Sequence, residues 1–168
     1  MSSPVSFTLR PAELRDIPAI VQLIRELAEF ENLAHLLQLT PEKLRPQLFG
    51  ERPAAEALVA ELGDGKSGGE VVGFALFFTN FSTFLAQPGL YLEDLFVRPE
   101  HRGAGIGEAL LTHLGRIAVE RDYGRFEWSV LDWNESAIGF YQRMGATVMP
   151  DWRICRISGE GLLAFAGR

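Results

Sequence analysis

The sequence predicts one α/β domain of the α+β type, in which helices flank a mixed central sheet. Its 168 residues, 47% hydrophobic and 23% charged, have the size and composition of a single globular domain. Its apolar residues follow helical and strand spacings in the order β-α-α-β-β-β-α-β-α-β. Three consecutive strands in the middle of this order exclude a simple alternating parallel fold.

The first third of the chain predicts a strand and two helices. Residues 6–10 alternate as a strand does. Asp16 and Pro18 are typical of a helix start, and apolar residues at helical spacing extend this helix over residues 17–30. A second, shorter helix over residues 40–50 begins with Thr-Pro and ends at a glycine.

The middle of the chain predicts three strands. Residues 57–62 and 71–78 read as a β-hairpin joined by the Gly-rich turn 63–69. After a turn at residues 87–89, residues 90–97 form a strand that is apolar except for two adjacent carboxylates. Because Asp and Glu are disfavoured in strands, they indicate a polar site, solvent at a strand end, or paired hydrogen bonds.

The last third alternates helices and strands. A Gly-rich loop opens a helix whose apolar residues run at helical spacing over residues 106–118. A strand is predicted over residues 126–131, a helix over 134–144, and a last strand over 152–157 before an apolar tail.

Charge and cysteine content limit the kinds of partner and the cellular compartment that we expect for this protein. A net charge of −6 argues against nucleic-acid binding and suits a small cationic partner. Cys155 is the single cysteine, so no internal disulfide is expected, and no cluster has zinc spacing. No basic leader and no membrane-spanning apolar run is present, and we expect a cytoplasmic protein without membrane contact.

The loop Arg102-Gly103-Ala104-Gly105-Ile106-Gly107 predicts a phosphate site. Its alternate glycines let the backbone approach an anion, and the following helix offers unpaired N–H groups and the positive end of its dipole. The loop matches neither the nucleotide P-loop nor the Rossmann pattern. A flexible turn before a helix stays open as the alternative.

These residues resemble the central motif of the GNAT superfamily of acetyl-CoA-dependent N-acetyltransferases, whose loop pattern Arg102, Gly105 and Gly107 satisfy. Tyr91-Leu92-Glu93-Asp94, Asp132-Trp133-Asn134-Glu135 and residues 140–146 extend the resemblance to the diamine (spermidine/spermine) acetyltransferase-like branch, closest to the thialysine acetyltransferases. The resemblance implies one domain over residues 1–168, with a core over about 6–158 and a tail over 159–168. It also implies a mostly antiparallel sheet that splays at an acetyl-CoA cleft.

The resemblance implies Glu93 as general base and ammonium anchor, and Tyr141 as the acid that protonates the leaving sulfur. A phenol has a pKa close enough to that of a thiol for this transfer. A structural carboxylate at Glu93 and an ordinary core tyrosine stay open as alternatives. Strand alternation places Asp94 on the opposite face, in a structural role.

The remaining implied site residues bind the cofactor or the amine. The backbone of the strand before the loop would hold the pantetheine arm. The cofactor set is Leu95, Phe96, Val97, Arg102, Gly103, Ala104, Gly105, Ile106, Gly107, Glu108, Asn134, Ser136 and Tyr141. Asn134 is equally well explained as a helix cap. Phe30, Glu31 and Glu93 would edge the amine pocket, and no metal is expected.

Ser82, Thr83 and Phe84 stand where polyamine enzymes carry an extra carboxylate, which favours an amine shorter than spermidine or spermine. The predicted activity is acetyl transfer to a small primary amine of the thialysine, diamine or polyamine type. A non-catalytic acyl-CoA-binding module and a protein N-acetyltransferase are the alternatives. A homodimer is expected from the resemblance and from the apolar tail Leu162-Leu163-Ala164-Phe165-Ala166.

Overall fold

A computed structural model describes residues 5–65 and 68–167, and a five-stranded sheet in the order β1-β2-β3-β4-β5 forms its centre. The strands are β1 Phe7–Pro11, β2 Glu56–Leu62, β3 Val71–Ser82, β4 Gln87–Val97 and β5 Phe126–Trp128. The first four pair antiparallel, and β5 lies parallel to β4. The predicted mixed, mostly antiparallel sheet is confirmed.

The helices follow the capping signals of the sequence. They are α1 Ile17–Phe30, α2 Pro41–Phe49, α3 Ile106–Glu120, α4 Glu135–Arg143 and α5 Glu160–Ala166. The Thr40 hydroxyl caps α2 by accepting from the Lys43 N–H. No helix within the described ranges combines the length and the apolar character needed to cross a bilayer.

Helices cover both faces of the sheet. Phe74 of β3 belongs to a buried cluster with α1 and α2, which includes Ile20, Leu44 and Phe96. The preceding residue, Gly73, faces the side chain of Ile106 in α3. Because neighbouring strand residues point to opposite faces, α1 and α3 lie on opposite sides of the sheet.

Three sequence predictions need correction. Residues 152–157 form no strand, because a strand needs a partner and none pairs with them in the described part of the chain. Residues 87–89 belong to β4, and the turn lies at residues 83–86. Strand β5 ends at Trp128, three residues earlier than predicted. In the predicted Gly-rich hairpin turn, Lys66 and Ser67 lie outside the described residues.

The chain divides into two compact units, one up to Ser129 and one from Val130. The first unit contains the sheet with α1, α2 and α3. The second contains α4 and α5, and many of its large apolar side chains are exposed.

Candidate active site

A bulge interrupts β4 at its two carboxylates. Leu76 of β3 pairs with Asp94 and Phe77 pairs with Leu92, so Glu93 has no partner residue in β3. Asp94 therefore shares with Leu76 the face that packs against α1, whereas Leu92 shares the opposite face with Phe77. The expectation of strict alternation along this strand is wrong, because the extra residue shifts the side chains by one position.

Two further carboxylates lie close enough to Asp94 to act on its charge: Glu93 at the bulge and Glu31 at the end of α1. Asp94 is half-buried and Glu93 is exposed. Burial first, and then the charges of Glu93 and Glu31, raise the pKa of Asp94 to about 6. Burial also raises the pKa of Glu31, the first residue after α1. The structure thus brings the predicted residues Glu31 and Glu93 together and adds Asp94, which its adjacency to Glu93 in an apolar strand could have signalled.

Arg102 contacts the end of α1 and the end of β4. Its guanidinium carbon lies 5.2 Å from the centre of the Phe30 ring and 5.4 Å from that of Phe96. Its Nε donates a 2.9 Å hydrogen bond to the carbonyl oxygen of Val97. Phe30, predicted at the amine pocket, therefore also touches the first residue of the phosphate loop.

The loop that opens α3 leaves its backbone accessible. Gly103 and Gly105 have φ of +77° and +82°, and a Cβ at either would meet no heavy atom within 4 Å. The Ala109 N–H donates to the Gly105 carbonyl at 2.9 Å. The N–H groups of the three residues before Ala109 are those that helix geometry leaves unpaired, and with the helix dipole they suit a diphosphate. Ile106 is buried, half-buried Gly107 follows it, and the Glu108 side chain is exposed.

The sheet opens next to this loop. Strand β5 pairs with β4 only at Leu90, Tyr91 and Leu92. Over residues 94–97, the described pairing of β4 is with β3 alone, and Glu93 at the bulge pairs with neither strand. The side chains of Phe96 and Val97 are buried and that of Leu95 is half-buried, so an extended ligand on this edge would meet backbone groups.

Helix α4 carries the other predicted residues, in the second unit. The Asn134 side chain caps this helix by accepting from the Ala137 N–H at 3.2 Å. Tyr141 is half-buried, its ring lies 5.5 Å from that of Phe140, and Ser136 is exposed. Asn134 and Tyr141 are two helical turns apart and hence on one side of the helix.

No metal cluster occurs in the described part of the chain: no three His, Cys, Asp or Glu side chains are placed to hold an ion. The first unit places carboxylates near the Gly-rich loop that opens α3.

Comparisons with known proteins agree with this geometry. The profile of the Acetyltransferase (GNAT) family matches residues 20–146, on both sides of the boundary at Ser129. A thialysine N-epsilon-acetyltransferase of Mus musculus is 38% identical, over 97% of this chain and 99% of its own length. The L-ornithine N5-acetyltransferase NATA1 of Arabidopsis thaliana is 35% identical, over 93% of this chain and 86% of its own length.

A solved structure shares the fold. It is the integron cassette protein VCH_CASS6 from the mobile metagenome of V. cholerae, with a TM-score of 0.79 and 26% identity. The similarity covers 97% of this chain and 99% of the other.

Proposed function

The chain belongs to the GNAT acetyltransferase family, and from this premise we propose that it moves the acetyl group of acetyl-CoA to a primary amine of a small cationic substrate. The observation that carries the proposal is the meeting of Glu31, Glu93 and Asp94 beside the loop that opens α3. The carboxylates suit an ammonium group, and the loop suits a diphosphate. A short amine such as thialysine, ornithine or a diamine is the proposed substrate class, supported by the names of the two relatives.

We propose that acetyl-CoA lies across the first unit. The open glycines at Gly103 and Gly105 fit its diphosphate, and the edge of β4 at residues 93–97, where no strand of the described chain pairs beyond β4, fits its pantetheine arm. These residues would orient the thioester toward the carboxylates. The other proposed cofactor residues, Asn134, Ser136 and Tyr141, belong to α4 and its cap.

Acetyl transfer from an ammonium substrate needs two protons to leave the nitrogen and one to reach the sulfur. The ammonium first loses one proton to become the free amine; as its nitrogen then bonds to the acetyl carbon, the carbon–sulfur bond breaks, the nitrogen loses its second proton and the sulfur gains one. We propose that Glu93 anchors the ammonium, receives the first proton and passes it to solvent, assisted by the charge of Asp94 at the same bulge. Tyr141 is the proposed proton donor to the sulfur, and the second proton lost by the nitrogen restores its phenol.

A thiol-release assay with acetyl-CoA tests the proposal. We expect free CoA on addition of thialysine, ornithine or short diamines, and less with spermidine and spermine. Release with peptides but with no small amine would assign protein acetylation instead. Binding of acetyl-CoA without release for any amine would assign a non-catalytic module.

We also propose that residues 1–168 act as one catalytic domain in a cytoplasmic homodimer. One family profile spans both units, and the lone Cys155 is exposed, which suits a reducing compartment. Large apolar side chains of the second unit are exposed and would be covered by a second copy: Trp152, Ile154, Leu162, Leu163 and Phe165. A monomeric mass by light scattering at assay concentration, with full activity, would contradict the dimer.

A further inference from the structure

We propose that Arg102 is a positioning residue that holds the C-terminal end of α1, and with it Glu31, against the end of β4 and the loop that opens α3. One side chain would thus connect the amine side of the site to the cofactor side. Its kinetic consequence rests on the proposed function, whereas its structural consequence does not.

The guanidinium of Arg102 connects three elements at once. Phe30 is the last residue of α1, and its ring contacts the guanidinium at 5.2 Å. Phe96 is a buried residue of β4, and its ring contacts the guanidinium at 5.4 Å. The Nε bond to Val97 fixes the direction of the arginine plane. Both ring distances lie within the range of a cation–π contact.

The end of α1 is closed by its own hydrogen-bonded cap. Asn32 has a φ of +58°, and the Leu33 N–H donates to the Ala28 carbonyl at 2.8 Å, as in a helix-ending motif. The Glu31 N–H donates to the Leu27 carbonyl at 3.0 Å. Since Glu31 follows Phe30 directly, a contact that fixes the Phe30 ring also fixes the backbone that carries the Glu31 carboxylate.

The same side chain begins the phosphate loop. Arg102 is exposed, and its hydrogen bond in the described part of the chain uses Nε, so we infer that its terminal nitrogens remain available to an anion on the loop. An anion bound to the loop therefore strengthens the orientation of a group that already holds α1. Binding of CoA should then order the end of α1 and prepare the amine site.

Hydrogen exchange of the free protein tests the contact without reference to activity. Arg102→Lys keeps the charge but loses the planar group that stacks on two rings. We expect exchange at the Glu31, Asn32 and Leu33 amides to rise by about threefold or more. Phe30→Leu, which removes the ring from the other side, should do the same. Arg121→Lys is the matched control, since Arg121 also lies over an aromatic ring, Tyr123 at 6.0 Å, at the far end of α3.

Steady-state kinetics with thialysine then separate positioning from phosphate binding. At saturating acetyl-CoA, Arg102→Lys and Phe30→Leu should each raise the amine KM about threefold to tenfold, and the double variant should add little, because both remove one contact. Unchanged exchange at the end of α1 in both single variants would overturn the inference. So would effects on the amine KM that simply multiply, or an Arg102→Lys variant that alters only the affinity for CoA by calorimetry. If the wild type transfers no acetyl group at all, the proposed function is refuted. The hydrogen-exchange result alone then tests whether Arg102 holds the end of α1.

Discussion

Glu93 and Asp94 share one bulge in β4, and the pKa of Asp94 rises to about 6, first through burial and then through the charge of Glu93. Asp94 therefore changes its charge around pH 6. That charge acts on the neighbouring Glu93, which is the proposed proton acceptor.

The pair should set the acid side of the pH profile. We expect kcat/KM for the amine to fall as the pH drops through about 6, because protonation of Asp94 removes a negative charge that helps the neighbouring Glu93 to hold and deprotonate the ammonium. Asp94→Asn should abolish this limb of the profile, and Glu93→Gln should shift it to lower pH because the neighbouring charge is gone. A limb at the same pH in all three proteins would exclude the pair as its origin.

Gly105→Val should weaken acetyl-CoA binding at least about tenfold, or about 1.4 kcal/mol. Gly105 has a φ of +82°, which a β-branched residue resists, and its open side faces the proposed diphosphate site. Gly63→Val is the matched control, because Gly63 has a φ of +94° and equal space but lies in the β2–β3 turn. Calorimetry should show weakened acetyl-CoA binding for Gly105→Val alone. An equal loss of affinity in Gly63→Val would mean that backbone strain, and not the lost approach to the diphosphate, is the cause.

Tyr141→Phe should lower kcat by about 10²-fold to 10⁴-fold while the affinity for CoA stays nearly unchanged, if the phenol supplies the proton to sulfur. Tyr123→Phe removes a hydroxyl that bonds to Thr79 at 2.8 Å and serves as the control. Rapid-quench measurement of the chemical step is the readout. Wild-type turnover by Tyr141→Phe would remove the assignment.

Arg10→Met should cost about 3 kcal/mol or more in the free energy of unfolding, because two buried carboxylates lose their shared cation and keep only backbone N–H donors. Arg10 bonds to Asp16 at 2.7 Å and to Glu61 at 2.7 Å. Burial opposes ionisation of Asp16, but the Arg10 bonds hold its pKa below the usual value, and they lower that of Glu61 as well.

The pH dependence of this effect has a definite sign. Since both pKa values are depressed in the folded state, the stabilisation is present above the unfolded values, near pH 4, and is lost as the pH falls through the folded values. Urea unfolding should therefore show the largest difference between wild type and Arg10→Met at neutral pH. Arg15→Met, which breaks an exposed pair with Glu13, should change stability little.

Local signals in the sequence predicted most of the fold. Capping residues placed α1, α2 and α4 to within a residue or two, and the helical spacing of α3 was confirmed. The prediction of a strand at residues 152–157 was wrong. An alternating pattern shows that a segment suits a sheet, but the segment becomes a strand only where a neighbouring strand pairs with it. The prediction of a turn at residues 87–89 was wrong, because proline is tolerated near the start of a strand and Pro88 lies there in β4.

The Gly-rich loop at the start of α3 and the two carboxylates in β4 could be predicted without coordinates, because conformational freedom and helix capping depend on residues close in the chain. How these groups meet depends on contacts between segments that are far apart in the chain. The bulge at Glu93 depends on the register between β3 and β4, and the raised pKa of Asp94 depends on burial and on Glu31 at the end of α1. The contact of Arg102 with Phe30 joins residues 72 positions apart. It can form only when α1 is packed on the sheet.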